Sequence, residues 1–481
     1  MLIQSRSRFN IMDRRTFISV LGTSSAGLAL ACSGLAHRAE TFAVSGDKSM
    51  LKAPGFGDLI PTASKNTGET LLAVPRGFEY TVIGKVDKPL SDGGKTPRLH
   101  DGMATFKVKN ELRIVRNHEV VGGKVPRPGT AMGKANHYDE TAGGGTTTLI
   151  IDPHTREITR DFVSLSGTLI NCSGGPTPWG SWISCEETTI GPSIRTDSKG
   201  VKTGGFPKPH GYCFEVPASA NTNLPPVPLK AMGRFTHEAI AVDKKTGIVY
   251  LTEDFNPCGF YRFLPKRNKH LAEGGVLQML AVKGQDRYDT RRGQKQNAIL
   301  DAKWITIEDP DPSAADLDAQ SVSKQGIAKG AAIFSRLEGC CADSDGRIYF
   351  TSTSGGDNGG GQIWRYDHVN RDEGRLVLLF ESPDRNILDM PDNVCVMPKS
   401  QLVFVCEDSD YVGAGGTAEN YLRVLTPSGR MADMVKNIAP KFERGEFAGV
   451  AFSPDGKTLF FNIQQIGATF AVWGDWSKFQ A

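Results

Sequence analysis

The stretch "GRFTHEAIAVDKKTGIVYLTEDF", residues 233–255, holds two short apolar runs joined by Asp243-Lys244-Lys245-Thr246-Gly247. Glu238 stands at the outer end of the first run and Glu253 at the outer end of the second. Runs this short, rich in Val, Ile and Tyr, read as strands, and the Asp-to-Gly segment between them reads as a hairpin turn. The unit recurs as "DGMATFKVKNELRIVRNHE" (101–119), "EGCCADSDGRIYFTSTS" (338–354), "PDNVCVMPKSQLVFVCED" (391–408) and "EFAGVAFSPDGKTLFFNIQ" (446–464), with a less regular copy in "LINCSGGPTPWGSWISCEE" (169–187). Repetition of one hairpin with β-rich sequence between the copies is the mark of a radially repeated sheet, and the expected fold is all-β, a six-bladed β-propeller. A two-layer sandwich is the fallback, but it does not explain why the polar ends repeat.

Composition agrees. The 481 residues include Gly 54 and Pro 27, a density of turn formers that suits many short strands. The formal charge is +3, and the four arginines and one aspartate of the first 31 residues account for all of it. A neutral remainder without basic runs offers no footprint for nucleic acid.

The opening "MDRRTFISVLGTSSAGLALAC" (12–32) has paired arginines, a short apolar run and then Cys32. It reads as an export leader rather than a membrane span, because the run is short and rich in Gly and Ser. Arg14-Arg15 resembles a twin-arginine signal, which implies export in the folded state to the periplasm or cell surface. "ALAC" resembles a lipoprotein site, so Cys32 is a candidate for lipidation and membrane attachment. Residues 1–31 are therefore expected to be leader, 32–70 a tether and entry segment, and 71–481 the propeller, with a monomer expected.

In an antiparallel hairpin the first residue of one strand lies beside the last residue of its partner, Cβ to Cβ at about 5 Å. That pairs Glu238 with Glu253, Asp101 with Glu119, Glu338 with Thr353, Asp392 with Glu407 and Glu446 with Asn462, within a residue of register. The inner hairpin of each blade lines the central channel, so these ends converge at one mouth. Two unit charges at 4 Å repel by about 4 kcal/mol at an effective dielectric of 20, so such a ring needs cations. Oxygen-rich sites suit Ca²⁺, and a thiolate added to them suits iron or zinc. Cys185 occupies a strand-end position close to those of Glu253 and Glu407, with Glu186 and Glu187 after it. Plainer readings exist for each: Cys185 as a small buried hydrophobe, His118 as a structural histidine, Cys395 and Cys406 as a pair facing across a hairpin or as free thiols. "GGGTTTL" (143–149) lacks the Lys-Ser/Thr of a phosphate loop and reads as a tight channel-side turn.

Taken together, "RNHE" (116–119), "GGGTTTL", "NCSGGPTPWGSWISCEET" (171–188), "GRFTHEAIAVD" (233–243), "RLEG" (336–339) and "FAGVAFSPDGKTLFFNIQ" (447–464) resemble the PhoX family of exported phosphatases, over almost the whole chain from about 70 to 470. The resemblance implies a six-bladed propeller whose mouth holds ferric iron (Fe³⁺) and calcium (Ca²⁺) and hydrolyses phosphate monoesters. It implies Cys185, Glu238 and Glu338 as ligands of the iron-containing centre, and Glu186, Asp254, Asp392, Glu407 and Glu446 as candidates for calcium. Arg336 would grip the phosphate, with Asn117 or His118 adding a hydrogen bond. The chain departs from the family where Arg336-Leu337-Glu338-Gly339 replaces the usual Arg-Pro-Glu-Trp, and where "TSTSGGDNGGG" (351–361) replaces an Asn-rich strand end. Two other readings use the same acid mouth: a calcium-dependent esterase or lactonase, and a non-catalytic surface binding protein that calcium locks together.

Overall fold

A computed structural model describes residues 51–121, 129–196, 200–413, 416 and 419–481. The six hairpins form six antiparallel pairs: His100–Val108 with Glu111–His118, Asn171–Pro176 with Ser181–Glu186, His237–Val242 with Val249–Glu253, Leu337–Ala342 with Ile348–Ser352, Pro391–Val396 with Val403–Glu407, and Phe447–Phe452 with Thr458–Ile463. The first strand of each pair packs against the first strand of the next, and Phe447–Phe452 packs back against His100–Val108, so these strands close a ring around an axis. Further strands extend each pair outward, as Gly144–Ile151 and Ile158–Thr168 do beyond Glu111–His118. The arrangement is a β-propeller.

Two connections consolidate it. Glu79–Ile83, from early in the chain, pairs with Ala468–Trp473 near its end and completes the final sheet. Ile299–Thr306 bridges two neighbouring outer edges, so that two units run as one nine-stranded sheet. Both faces of each sheet are covered by the next, which explains strands of nearly continuous apolar sequence. Between the sheets lie clusters such as Tyr80, Phe404, Phe461 and Phe470, and Tyr250, Phe260, Phe350 and Trp364.

The ordered fold starts earlier than Leu71. Phe56 packs edge-on against Phe78, Trp476 and Phe479, and Leu59–Thr62 adds an edge strand to Leu72–Pro75. A four-residue edge strand shows no periodicity, which is why residues 51–70 read as tether. The leader and Cys32 lie outside the described residues. No helix among the described residues is long and apolar enough to cross a membrane. Cys395 pairs in register with Phe404 and Cys406 with Leu422, so the two thiols do not face each other, and both are free.

One distortion repeats in every pair and shapes the mouth. The ladder breaks near the axis end each time: between His100 and Met103, Asn171 and Gly174, His237 and Ile240, Leu337 and Cys340, Pro391 and Val394, and, one residue deeper, Ala448 and Ala451. Such bulges re-aim side chains and bend the strand. Here they also let neighbouring innermost strands touch through their backbones. A Cβ on Gly102 would lie 2.5 Å from the Cα of Ser173, and one on Gly339 would lie 2.5 Å from the carbonyl oxygen of Asp392. Gly339→Val should therefore destabilise the fold by about 2 kcal/mol through overpacking, read as a lower midpoint of urea unfolding. An unchanged midpoint would refute the close approach.

Candidate active site

The bulges place one residue per unit at the axis: Asp101, Cys172, Glu238, Glu338 and Asp392 from five units, and the apolar Ala448 from the sixth, all buried. A second tier comes from the residue just after the second strand of each pair: Glu119, Glu187, Asp254, Thr353, Asp408 and Gln464. Each of these donates its backbone N–H to the carbonyl of the residue that precedes the first strand, respectively Leu99, Ile170, Thr236, Arg336, Met390 and Glu446, at 2.9–3.0 Å. One bond repeated around the axis thus sets the height of the whole mouth. Leu99, Ile170, Arg336 and Met390 adopt φ of 51°, 47°, 45° and 47°. Left-handed backbone at four bulky residues is strain that the surrounding bonds impose.

Within this mouth two trios of ligand atoms lie within 4.8 Å of one another: Cys172, Glu187 and Glu238, and Glu238, Glu338 and Asp392. Glu238 belongs to both. Arg336 reaches across the rim, donating through Nε and Nη2 to the two oxygens of Asp254 at 3.0 Å each and through Nη2 to Glu338 Oε1 at 2.7 Å. On another side Gln464 Nε2 donates to Asp101 Oδ2 at 3.0 Å and to Glu119 Oε2 at 2.7 Å. Glu446 is buried at the position equivalent to Arg336, and Asp392 Oδ1 accepts from Asn393 Nδ2 at 2.8 Å.

The acid one residue earlier in each second strand faces the other way, into its own sheet, because successive strand residues alternate. Glu186 accepts from the N–H groups of Leu169, Gly211 and Tyr212 at 2.8, 2.8 and 3.1 Å, and from His210 Nδ1 at 2.6 Å. Glu253 accepts from Gly259 N–H and the Tyr261 hydroxyl, and burial pushes its carboxyl up to about 7. Glu407 accepts from the N–H groups of Asp389 and Tyr421 and from Arg423 Nε at 3.0 Å. These carboxylates clamp one strand end to the start of the next strand. Glu186 and Glu407, expected as calcium ligands, are occupied in that task, and their neighbours Glu187 and Asp408 stand at the mouth instead.

The thiol at the acids is Cys172, not Cys185. Cys185 lies directly across the ladder from Cys213, Sγ to Sγ 3.6 Å, within an apolar cluster that includes Met232 and Phe235, and burial pushes its thiol well up. Asn117 and His118 also differ from expectation. The Asn117 amide donates to the carbonyls of Cys172 and Ser173 at 3.2 and 2.6 Å, and its oxygen accepts from Trp182 Nε1 and Ser184 Oγ. It is a positioning residue for the Cys172 bulge. His118 uses both ring nitrogens, on Arg98 O at 3.0 Å and Thr147 Oγ1 at 2.9 Å, and burial together with Arg116 lowers its pKa far enough to keep it neutral. Neither is left a hydrogen bond for substrate. Glu238, Asp254, Glu338, Asp392 and Arg336 are brought together as the sequence led one to expect. Cys172, Glu187, Asp408 and Gln464 were missed, and the signal that finds them is the start of the first strand and the residue after the second, not the strand end itself.

Asp101, Glu119, Glu187, Glu238, Asp254, Glu338, Asp392, Asp408 and Glu446 are all buried here. Leaving even one carboxylate buried without counter-charge costs several kcal/mol. The donor set fits metal: a thiol with carboxylates on one side of Glu238 suits a transition metal, and carboxylates alone on the other suit a hard divalent cation.

Residues 56–467 match the family described as Alkaline phosphatase PhoX. The chain belongs to that family. Among solved structures, PhoX of Pseudomonas fluorescens in complex with vanadate, a transition state analogue, aligns with a TM-score of 0.65 and 19% identity, covering 89% of this chain and 98% of that one. A gluconolactonase from Xanthomonas campestris aligns with a TM-score of 0.41 and 10% identity, covering 87% and 98%. No curated protein matches the chain. Membership of the PhoX family makes this a metal-dependent phosphatase.

Behind the mouth, His210 lies between Glu186 and Asp139, its Nε2 3.6 Å from Asp139 Oδ2. Burial opposes its charge, but the two carboxylates outweigh burial and raise it to about 9. The folded pKa lies above the unfolded value near 6.5, so the stabilisation is complete below about pH 6.5 and is lost as pH rises through 9. It amounts to about 3 kcal/mol at most. Urea midpoints should fall between pH 6.5 and 9.5 for the native chain and stay flatter for His210→Gln. Parallel curves would refute the charged latch.

Proposed function

We propose that this chain hydrolyses small phosphate monoesters at the acid mouth, with ferric iron held at Cys172, Glu187 and Glu238 and calcium at Glu238, Glu338 and Asp392. The observation that carries the reading is the pair of trios joined at Glu238, with Arg336 fixed at their rim. PhoX of Pseudomonas fluorescens, whose fold this chain shares, binds vanadate as a transition state analogue. Cations held in such a site supply Lewis acidity to phosphoryl transfer.

The chain's own residues do the rest. Arg336 presents a planar fork that matches two phosphoryl oxygens, a geometry lysine cannot offer. Asp254 and Glu338 hold that fork at the rim, and it would exchange bonds to these acids for bonds to the phosphoryl oxygens. Thr353 N–H, bonded to the Arg336 carbonyl, fixes its left-handed backbone. Burial of the ring excludes water from the place where charge is neutralised, which strengthens each interaction there. The twin-arginine leader supports export of the folded chain to the periplasm or cell surface, where Cys32 would anchor it if lipidated.

Calcium chelation should abolish turnover of p-nitrophenyl phosphate. Cys172→Ala should remove iron from the purified protein, whereas Cys185→Ala should retain it; the reverse pattern, or full activity after chelation, would overturn the assignment. Arg336→Ala should lower kcat/KM by about a hundredfold, the worth of a bidentate charged contact. A chelation-dependent loss of thermal stability without hydrolysis of any phosphate ester by the untreated protein would instead favour the non-catalytic reading.

A further inference from the structure

Beside Arg336 lies a second cavity, of about 450 Å³, lined by Asn256, Asp289, Arg291, Arg292, Ser335 and Ser354. It adjoins the mouth through the chain itself, since Ser335 precedes Arg336 and Ser354 follows Thr353. The arm that carries the two arginines is tied down to the mouth's own segments. Thr290 donates through N–H and Oγ1 to Ile333 O at 3.0 and 2.8 Å, Gly356 N–H donates to Arg291 O at 2.9 Å, and Gly293 N–H donates to Asp357 Oδ1 at 2.7 Å.

The lining is chemically unlike the mouth. Arg291 is held rigid by both oxygens of Asp289, at 2.9 and 2.7 Å, and by Asn256 Oδ1 at 3.1 Å. That pairing spends one positive charge on one negative. Arg292 is exposed and makes no ion pair among the described residues, so the cavity keeps one uncompensated guanidinium. The Ser335 and Ser354 hydroxyls share one hydrogen bond at 2.8 Å, which uses one of their two protons and leaves the other to donate. A free guanidinium, a spare hydroxyl proton and a held guanidinium around one cavity make an anion receptor.

We infer that this cavity is a subsite for the alcohol portion of the substrate, and that it selects phosphate monoesters carrying a second anionic group, a carboxylate or another phosphate, a few carbons from the ester. The inference rests on the phosphatase reading above. With the ester phosphate at Arg336, the distal anion falls to Arg292 and the Ser335–Ser354 pair.

The test compares phosphoglycerate with glycerol phosphate, three-carbon esters that differ in a terminal carboxylate, using the holoenzyme. The native chain should favour phosphoglycerate in kcat/KM by about tenfold, the worth of one charge-assisted hydrogen bond. Arg292→Glu should erase or invert that ratio, chiefly through KM, and Arg292→Lys should restore most of it. Arg292 is exposed, so an unchanged thermal midpoint is expected and shows that the variant is folded. Equal losses on both esters would mean general electrostatic steering and would overturn the subsite, as would an unaltered ratio. Hydrolysis of neither ester by the native holoenzyme would overturn the phosphatase reading and this inference with it.

Discussion

Each innermost strand gives up two rungs of its ladder at the axis end, and the chemistry of the mouth depends on that loss. A regular strand would send alternate residues toward its two neighbours and none toward the centre. The bulge turns the residue after the first paired position inward, so Asp101, Cys172, Glu238, Glu338 and Asp392 meet although 291 positions separate the first from the last. The bond from each second-tier N–H to the carbonyl before the first strand sets a common height. Rigid backbone therefore holds the acids together against their repulsion, at a cost in strain visible in four left-handed residues.

Much of the fold was legible because a hairpin announces itself locally: two β-rich runs, an Asp/Asn/Gly turn and polar ends, repeated. The ring was legible too, since pairing across a hairpin fixes which ends meet. What was not legible was the side each end residue faces. A one-residue step along a strand reverses its face, and both Glu186 and Glu187, or both Glu407 and Asp408, satisfy the same pattern of polar strand ends. In the first strands alternation counted outward from the turn fails too, because the bulge adds a residue between the turn and the axis. The thiol was misplaced for the same reason. Cys185 lies at a strand end, where acids lie in other copies, while Cys172 lies at a strand start within "NCSGG", where the bulge aims it inward.

Gly339 shows how the departure from the family pattern is accommodated. Members of the family usually carry tryptophan after the ring glutamate, yet here any Cβ at that position would meet the Asp392 carbonyl oxygen at 2.5 Å. The strands carrying Glu338 and Asp392 thus touch through their backbones at Gly339, as those carrying Gly102 and Ser173 do on the thiol side. On the all-carboxylate side, Glu338 and Asp392 lie with Glu238 in one trio of ligand atoms within 4.8 Å.

Glu338 is where the ring and the rim meet. A carboxylate offers about four lone-pair directions, so Glu338 can serve a cation through one oxygen while Arg336 Nη2 holds Oε1. Arg336 in turn holds both oxygens of Asp254. Arg336 is a counter-ion of these two acids, and the Nε–Nη2 edge of its fork points at protein. A cation held at Glu238, Glu338 and Asp392 would weaken the attraction of Glu338 for the guanidinium, which would leave the fork freer to meet an incoming phosphate. Glu338, shared between the Arg336 fork and the all-carboxylate trio, is thus the group through which occupancy of the ring would be felt at the rim.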